Sequence, residues 1–527
     1  MESHIEEHRD VRHVATSYAG TDLEENLKES NEYTPSIEYA SSLPQMGGGK
    51  PYPPYIKNSC DYMVTFDEND PEYPQNYSSA KKIIYITSIL VSCFSSLYGS
   101  AVLSAASLAL MKEFKTGTEV VTLCTSLFVF GYASGPVVWG PLSEVHGRKI
   151  VILISIFIFT CLNFACATAK DLQTLIICRF FSGFASGAVM VIGPAVIGDL
   201  FPQRSRGNIV TLFASIIFGG PMLAPIISGF IVKNHSLGWR WCLYISGIIS
   251  AFSLVLISFF FEETNPGILL SRRAHLLRVK TDNWSIYAEK EREQFSITGI
   301  ITKVITRPIH MLIVEPILLS ITIYNSFVMG LMYLFLTEIP MIFGPGGYNF
   351  SDGVSSLPYL AILLGVEIGA LCNLYFEKRY LEKVAKAGKL VPEERLFAML
   401  VGAICLPCGI FWLSWAGKYS HKVHWIVPVL GNIPIGVGLI CLFLPSLNYL
   451  IECYLPFVAS AMAGNTVMRY FFGGAFPLFA RQMFDALGIN WGGSLLGFFS
   501  VALIPMPLLF YRFGKRLRQK SKFALKL

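Results

Sequence analysis

Residues 140–149 read GPLSEVHGRK, Gly140 to Lys149, and lie between two apolar runs at roughly 119–139 and 150–168. A run of about 20 apolar residues is long enough to span a bilayer, so this decapeptide reads as a short turn between two membrane helices. Arg148 and Lys149 draw the turn to the cytosolic side. Gly140 and Gly147 let it close tightly. The Glu144 carboxylate and the basic pair can make charge-assisted bonds to neighbouring helix ends.

Working outward, the chain is 53% apolar and only 15% charged, with mean hydropathy +0.50. A soluble domain carries about 25% charged residues. Apolar spans fall near 83–110, 119–139, 150–168, 173–198, 208–232, 242–261, 313–338, 355–376, 396–416, 426–446, 455–480 and 491–511. The longest gap between spans, 262–310, divides them six and six. The expected fold is an all-α membrane protein of twelve transmembrane helices in two six-helix halves. The domains read as a disordered acidic tail at 1–80, a first bundle at 81–261, a linker at 262–310, a second bundle at 311–513 and a basic tail at 514–527.

Lys and Arg set the orientation. The even-numbered loops hold Arg148, Lys149, Arg204, Arg206, eight basic residues between 262 and 310, and six between 377 and 395. The C-terminal tail adds seven, from Arg512 to Lys526. The opposite loops hold few. Both termini are therefore expected in the cytosol, with the chain a multi-pass protein of the plasma membrane. Asn234-His235-Ser236 and Asn349-Phe350-Ser351 are then outside, as possible glycosylation acceptors.

The first 80 residues carry fifteen acidic and five basic side chains, a net −10 that leaves +16 for the rest. They are rich in Ser, Glu, Pro and Gly, as disordered segments are, and lack the early apolar core of a secretory signal. Gly47-Gly48-Gly49 reads as flexible linker. The cysteines lie mostly within spans, as small packing residues. Cys405-Leu-Pro-Cys408 has redox spacing but sits in a span. The sequence holds no Walker A loop, which argues against ATP as the direct driver. It also holds no metal cluster and no nucleophile–base constellation, so neither an enzyme nor a cofactor is expected.

Arg179-Phe-Phe-Ser-Gly183-Phe-Ala-Ser-Gly187 opens the fourth span. The glycines fall on roughly the face of Arg179 and permit close helix packing. The fifth span contains Gly219-Gly220-Pro221-Met-Leu-Ala224-Pro225-Ile-Ile-Ser228-Gly229, whose prolines allow a bend. With GPLSEVHGRK, these motifs resemble those of the major facilitator superfamily, where Asp is usual at Glu144 and a basic residue at Val145. The fifth-span motif, Gly220, Pro221, Pro225 and Gly229 with Ala224 and Ser228 in place of two glycines, is similar to that of drug:proton antiporters. Trp239-Arg240-Trp241, Glu263-Thr264-Asn265-Pro266, Phe327 to Tyr333 and Ala459 to Phe479 resemble the fungal antiporters with twelve spanners, a branch of multidrug exporters and polyamine transporters. The first span lacks that branch's usual prolines. The resemblance implies a major facilitator fold and gives Arg179 a part in proton coupling.

An ionisable group inside a span is a functional candidate by default. Glu367 leads, near the centre of the eighth span in AILLGVEIGALC with no Lys or Arg beside it. It can carry a proton or attract a cationic substrate. Glu338 ends the seventh span towards the external face. Arg469, inside the eleventh, needs a partner. Glu144, Asp199 and Glu452, near cytoplasmic helix ends, suit gating ion pairs. Tyr98, Asn325, Tyr333, Asn432, Asn465 and Tyr470 can supply cavity polarity. The expected function is proton-coupled export of drugs or organic cations such as polyamines, by alternating access. The alternatives are proton-coupled import of a polyamine or other nutrient, and a non-transporting transceptor. The expected partners are an amphiphilic drug or organic cation, protons and the lipid bilayer, with no nucleic acid; the chain is expected to be a monomer.

Overall fold

The computed structural model describes residues 62–202, 205–234, 236–292, 306–388 and 391–524. Expectations that fall on 1–61, Arg204 or His235 lie outside these. Among the described residues, eleven helical stretches are long and apolar enough to cross a membrane. The first ten are α1 Ser79–Phe114, α2 Thr118–His146, α3 Arg148–Ala167, α4 Leu172–Leu200, α5 Arg206–Lys233, α6 Arg240–Phe260, α7 Pro316–Phe343, α8 Asp352–Lys386, α9 Pro392–Lys418 and α10 Ile426–Cys453. The eleventh, Val458–Gln519, has 62 residues. At about 1.5 Å per residue that is some three times a hydrocarbon core of about 30 Å. Its backbone leaves the helical region at Gly488, φ 78 and ψ 161, and Gly492 then packs against Phe484. The stretch is thus two crossings, α11 (458–487) and α12 (489–519), and the total is twelve.

Glycine sets the closest helix crossings. A methyl group on Gly183 of α4 would overlap the Phe128 carbonyl of α2, and one on Gly131 of α2 would overlap the Phe180 carbonyl of α4. The same reciprocal contact recurs between α8 and α10: Gly436 lies on the Ile362 carbonyl and Gly365 on that of Ile433. Both pairs keep identical offsets of three residues. Two surfaces of bare backbone let the helices meet where a Leu pair would hold them apart.

The first span is not one continuous helix. It stops at Ala101, passes through a 3₁₀ turn at Ser104–Ala106 and restarts at Ser107–Phe114. The break frees carbonyls that a continuing helix would satisfy, and two of them are taken by Arg179, as set out below.

Residues 62–80, expected in the disordered tail, depart from that reading. Residues 62–70 and 270–292 belong to a small unit of their own. Val64, Ala274, Leu277, Ile286 and Ala288 form its core. The Val64 N–H donates to the Tyr287 carbonyl at 2.9 Å, and the Tyr287 N–H to the Tyr62 carbonyl at 3.1 Å. Arg273 grips Asp70 with two bonds, of 2.6 and 3.0 Å. Acidic composition alone hid this, because the apolar run around Val64 is short and its partners lie some two hundred residues away.

Candidate transport site

On the face that carries the basic loops, Gly147 turns α2 into α3 with φ 97 and ψ 165, a conformation nearly confined to glycine. A Cβ there would overlap the Glu263 carboxylate. Glu263 follows α6 and is buried. It accepts the backbone N–H groups of Arg148 (2.8 Å), Lys149 (3.2 Å), Thr264 (3.1 Å) and Asn265 (2.9 Å). The first two open α3, where free N–H groups and the helix dipole favour an anion. The Arg148 side chain reaches Asp199 at 3.4 Å and donates to Ser143 Oγ at 2.8 Å. Glu144 is exposed, whereas Glu263 and Asp199 are the more buried carboxylates in contact with this turn. Beside them, Lys81 and the Tyr85 hydroxyl, each at 2.7 Å, hold Glu262 below the usual carboxylate range.

The second half has its own network on the same face. Arg395 pairs with Glu377 and, at 2.7 Å, with Glu452. The Tyr380 hydroxyl lies 2.8 Å from both Glu452 oxygens. Glu263 opens a stretch that the family resemblance singled out, but without a role; Glu377, Tyr380 and Arg395 carry no motif signal, and only the acidic-basic composition of their loops pointed here.

A cavity of about 620 Å³ opens on the opposite face, lined among others by Ser104, Thr125, Tyr333, Thr337, Pro477 and Phe484. Below it the halves meet. The Tyr333 hydroxyl donates to Ser100 Oγ at 3.0 Å. The rings of Tyr132 and Tyr470 meet edge to face at 4.8 Å, and those of Phe218 and Phe443 at 5.2 Å. This arrangement is open to one side and sealed at its middle. On the fifth helix, Gly220 lies against Leu97 and Tyr98 of α1, Pro221 and Pro225 are buried, and Gly229 packs on Asp352 and Gly353 at the start of α8. Gly140 faces Val191.

The charged candidates separate. Arg179 is fully buried and gives its three nitrogens to three carbonyls: Cys124 at 3.0 Å, Gly99 at 2.8 Å and Ser100 at 3.1 Å. Its guanidinium stands 4.3 Å from the Phe128 ring centre. Arg469 is equally buried, with Asn465 Oδ1 at 3.4 Å, while Asn465 donates to Thr322 at 3.1 Å. Tyr98 is buried, with its hydroxyl beside Ser228 of α5. Glu338 is not interfacial. It is fully buried, accepts from Ser414 Oγ of α9 at 2.8 Å, and its Oε2 has no partner. Glu367 is the opposite case. It is exposed on the outer side of α8, in line with Leu364, Ile368 and Leu371, which are 54%, 44% and 68% exposed. The expectation of a carboxyl inside the bundle is met by Glu338 and not by Glu367.

The model of the Major Facilitator Superfamily matches residues 88–477. The chain belongs to the major facilitator superfamily. Among its relatives, the major facilitator superfamily multidrug transporter FLU1 of Candida albicans is 48% identical over 96% of this chain and 85% of its own length. The multidrug transporter TPO1_1 of Candida glabrata is 43% identical over 93% and 86%. The facilitator fold itself is shared with the xylose transporter XylE from E. coli in a partially occluded inward open conformation, at TM-score 0.56 and 19% identity over 82% of this chain and 98% of that one. In this facilitator, therefore, the glycine turn, the buried arginine of α4 and the Pro-Gly run of α5 sit at helix junctions and not around a reactive centre.

Proposed function

We propose that this facilitator is a proton-coupled exporter of amphiphilic drugs or organic cations such as polyamines, acting at the plasma membrane as a monomer. The observation that carries the reading is Glu338: a carboxyl group fully buried behind α7, with one hydroxyl donor and no cation paired to it. An ionised carboxylate there is costly, so the site holds a proton in this conformation and releases it in another. Thr337, the next residue back, lines the cavity, whereas Glu338 faces α9. Proton and substrate then occupy different sides of one helix, as exchange of the two requires. The bundles 81–261 and 311–513 rock about the cavity, and the Glu263 and Arg395 networks open when the cavity turns to the cytosol. The names of the Candida relatives support drugs as the cargo.

In vesicles with an imposed pH gradient, substrate is expected to accumulate without ATP. Equal accumulation after the pH gradient and membrane potential are both collapsed would refute the coupling.

The basic loops and tail support cytosolic termini. Protease added to intact cells is expected to spare tags at both ends; loss of either tag reverses the orientation.

A further inference from the structure

Arg469 is one of the two largest fully buried side chains of the bundle, yet its bonding is unfinished. Nη1 has one long contact, Asn465 Oδ1 at 3.4 Å. Nε and Nη2 are buried with no acceptor in good hydrogen-bond geometry, the Tyr470 hydroxyl being the polar group beside them. No carboxylate of the described residues pairs with it. Its guanidinium lies 4.7 Å from the Phe443 ring centre and 4.9 Å from that of Tyr470. Arg179 shows what a finished buried arginine looks like here, with an acceptor for each of its nitrogens.

The open groups at Arg469 are N–H donors, which call for an acceptor. The Tyr132 ring meets that of Tyr470 beside them. A buried cation left with open N–H groups is costly, and within a membrane such a residue persists where it meets a counter-charge. Guanidinium offers a planar fork that matches a carboxylate. The aromatic rings beside it suit the apolar body of an amphiphile. The cluster lies next to the cavity wall: Tyr333 lines the cavity and its ring packs on Gly473, four residues after Arg469 on α11.

We infer that Arg469 is the receptor for a carboxylate, or an oxyanion of like shape, carried by the transported amphiphile. The inference rests on the exporter reading above and widens its cargo from cations to acids. Binding brings two acceptor oxygens to Nε and Nη2 and separates Tyr132 from Tyr470, which lie across the seam between the halves. A free anion such as chloride offers the same charge from another source.

The test uses the full chain in proteoliposomes, under an imposed pH gradient, with three labelled probes on one aromatic skeleton: a carboxylate, its primary amide and a quaternary ammonium. Wild type is expected to move the carboxylate. Arg469→Gln is expected to lose at least tenfold of that rate while the amide and ammonium probes stay within twofold; Arg469→Lys should recover part of the loss. Retained transport of the carboxylate by Arg469→Gln overturns the inference, as does an equal fall for all three probes in a variant with an unchanged melting temperature. If Arg469→Gln does not fold, protection of wild type against thermal unfolding decides: the carboxylate must protect more than its amide. Replacing chloride with gluconate separates the sources. A fall in all probes for wild type, absent in Arg469→Lys, assigns the site to free chloride and overturns the substrate role. Failure of every probe to respond to the gradient in wild type sinks the exporter reading instead.

Discussion

Glu338→Gln is expected to abolish uphill transport and leave exchange intact. A gradient of one pH unit is worth about 1.4 kcal/mol per proton, and a potential of about 100 mV adds about 2.3 kcal/mol per charge. One proton traded for one neutral substrate therefore sustains a concentration ratio of up to about 500. Glutamine keeps the size of the side chain and an acceptor for the Ser414 hydroxyl, so the packing between α7 and α9 survives. It has no proton to give. The steady-state ratio should fall to about 1, while exchange of labelled for unlabelled substrate continues. Glu367→Gln is the control: on the lipid side of α8 it should leave accumulation within twofold of wild type. Wild-type accumulation by Glu338→Gln, at matched surface expression, removes Glu338 from the mechanism.

In the proposed orientation, Glu263→Ala should shift the chain from the outward-open towards the inward-open arrangement. Glu263 accepts four backbone N–H groups where Gly147 turns into α3. Hydrogen bonds to a charged group are worth about 1.5–3 kcal/mol each, and most of that is recovered in water once the face opens. A net loss of about 3 kcal/mol moves the equilibrium by about 150-fold. A cysteine at Thr337, on the wall of the outward cavity, reports the shift. Its labelling by a membrane-impermeant maleimide should slow at least tenfold in Glu263→Ala, and Gly147→Ala should act in the same direction through clash and backbone strain. Unchanged labelling in both would show that this turn does not hold the closed face.

The twelve crossings were legible because about 20 apolar residues in a row have few other uses, and the linker because its charges interrupt that pattern. The glycine turn at 147 and the buried Arg179 were legible from local spacing. Glu367 and Glu338 were not separable that way. Lipid tails are as apolar as the interior of a bundle, so a span looks alike on both sides. The distinguishing marks were Gly365 and Gly369, which pack on α10 and place Glu367 on the outer side. Glu338 depends on Ser414, 76 residues away, and Glu263 on a turn 115 residues earlier; neither pairing leaves a trace in local sequence.

The reciprocal glycine crossings also give the chain a ruler. They align Gly131 with Gly365 and Gly183 with Gly436, and four residues before each of the latter pair stand Arg179 and Asn432. Arg179 has every nitrogen satisfied, whereas both side-chain polar atoms of Asn432 are buried without partners. Glu338 and Arg469, each also incomplete, belong to the same half as Asn432. The matched step has thus diverged between the halves: in one the buried arginine is fully bonded and serves as a fixed frame, and in the other Asn432 keeps its valences open.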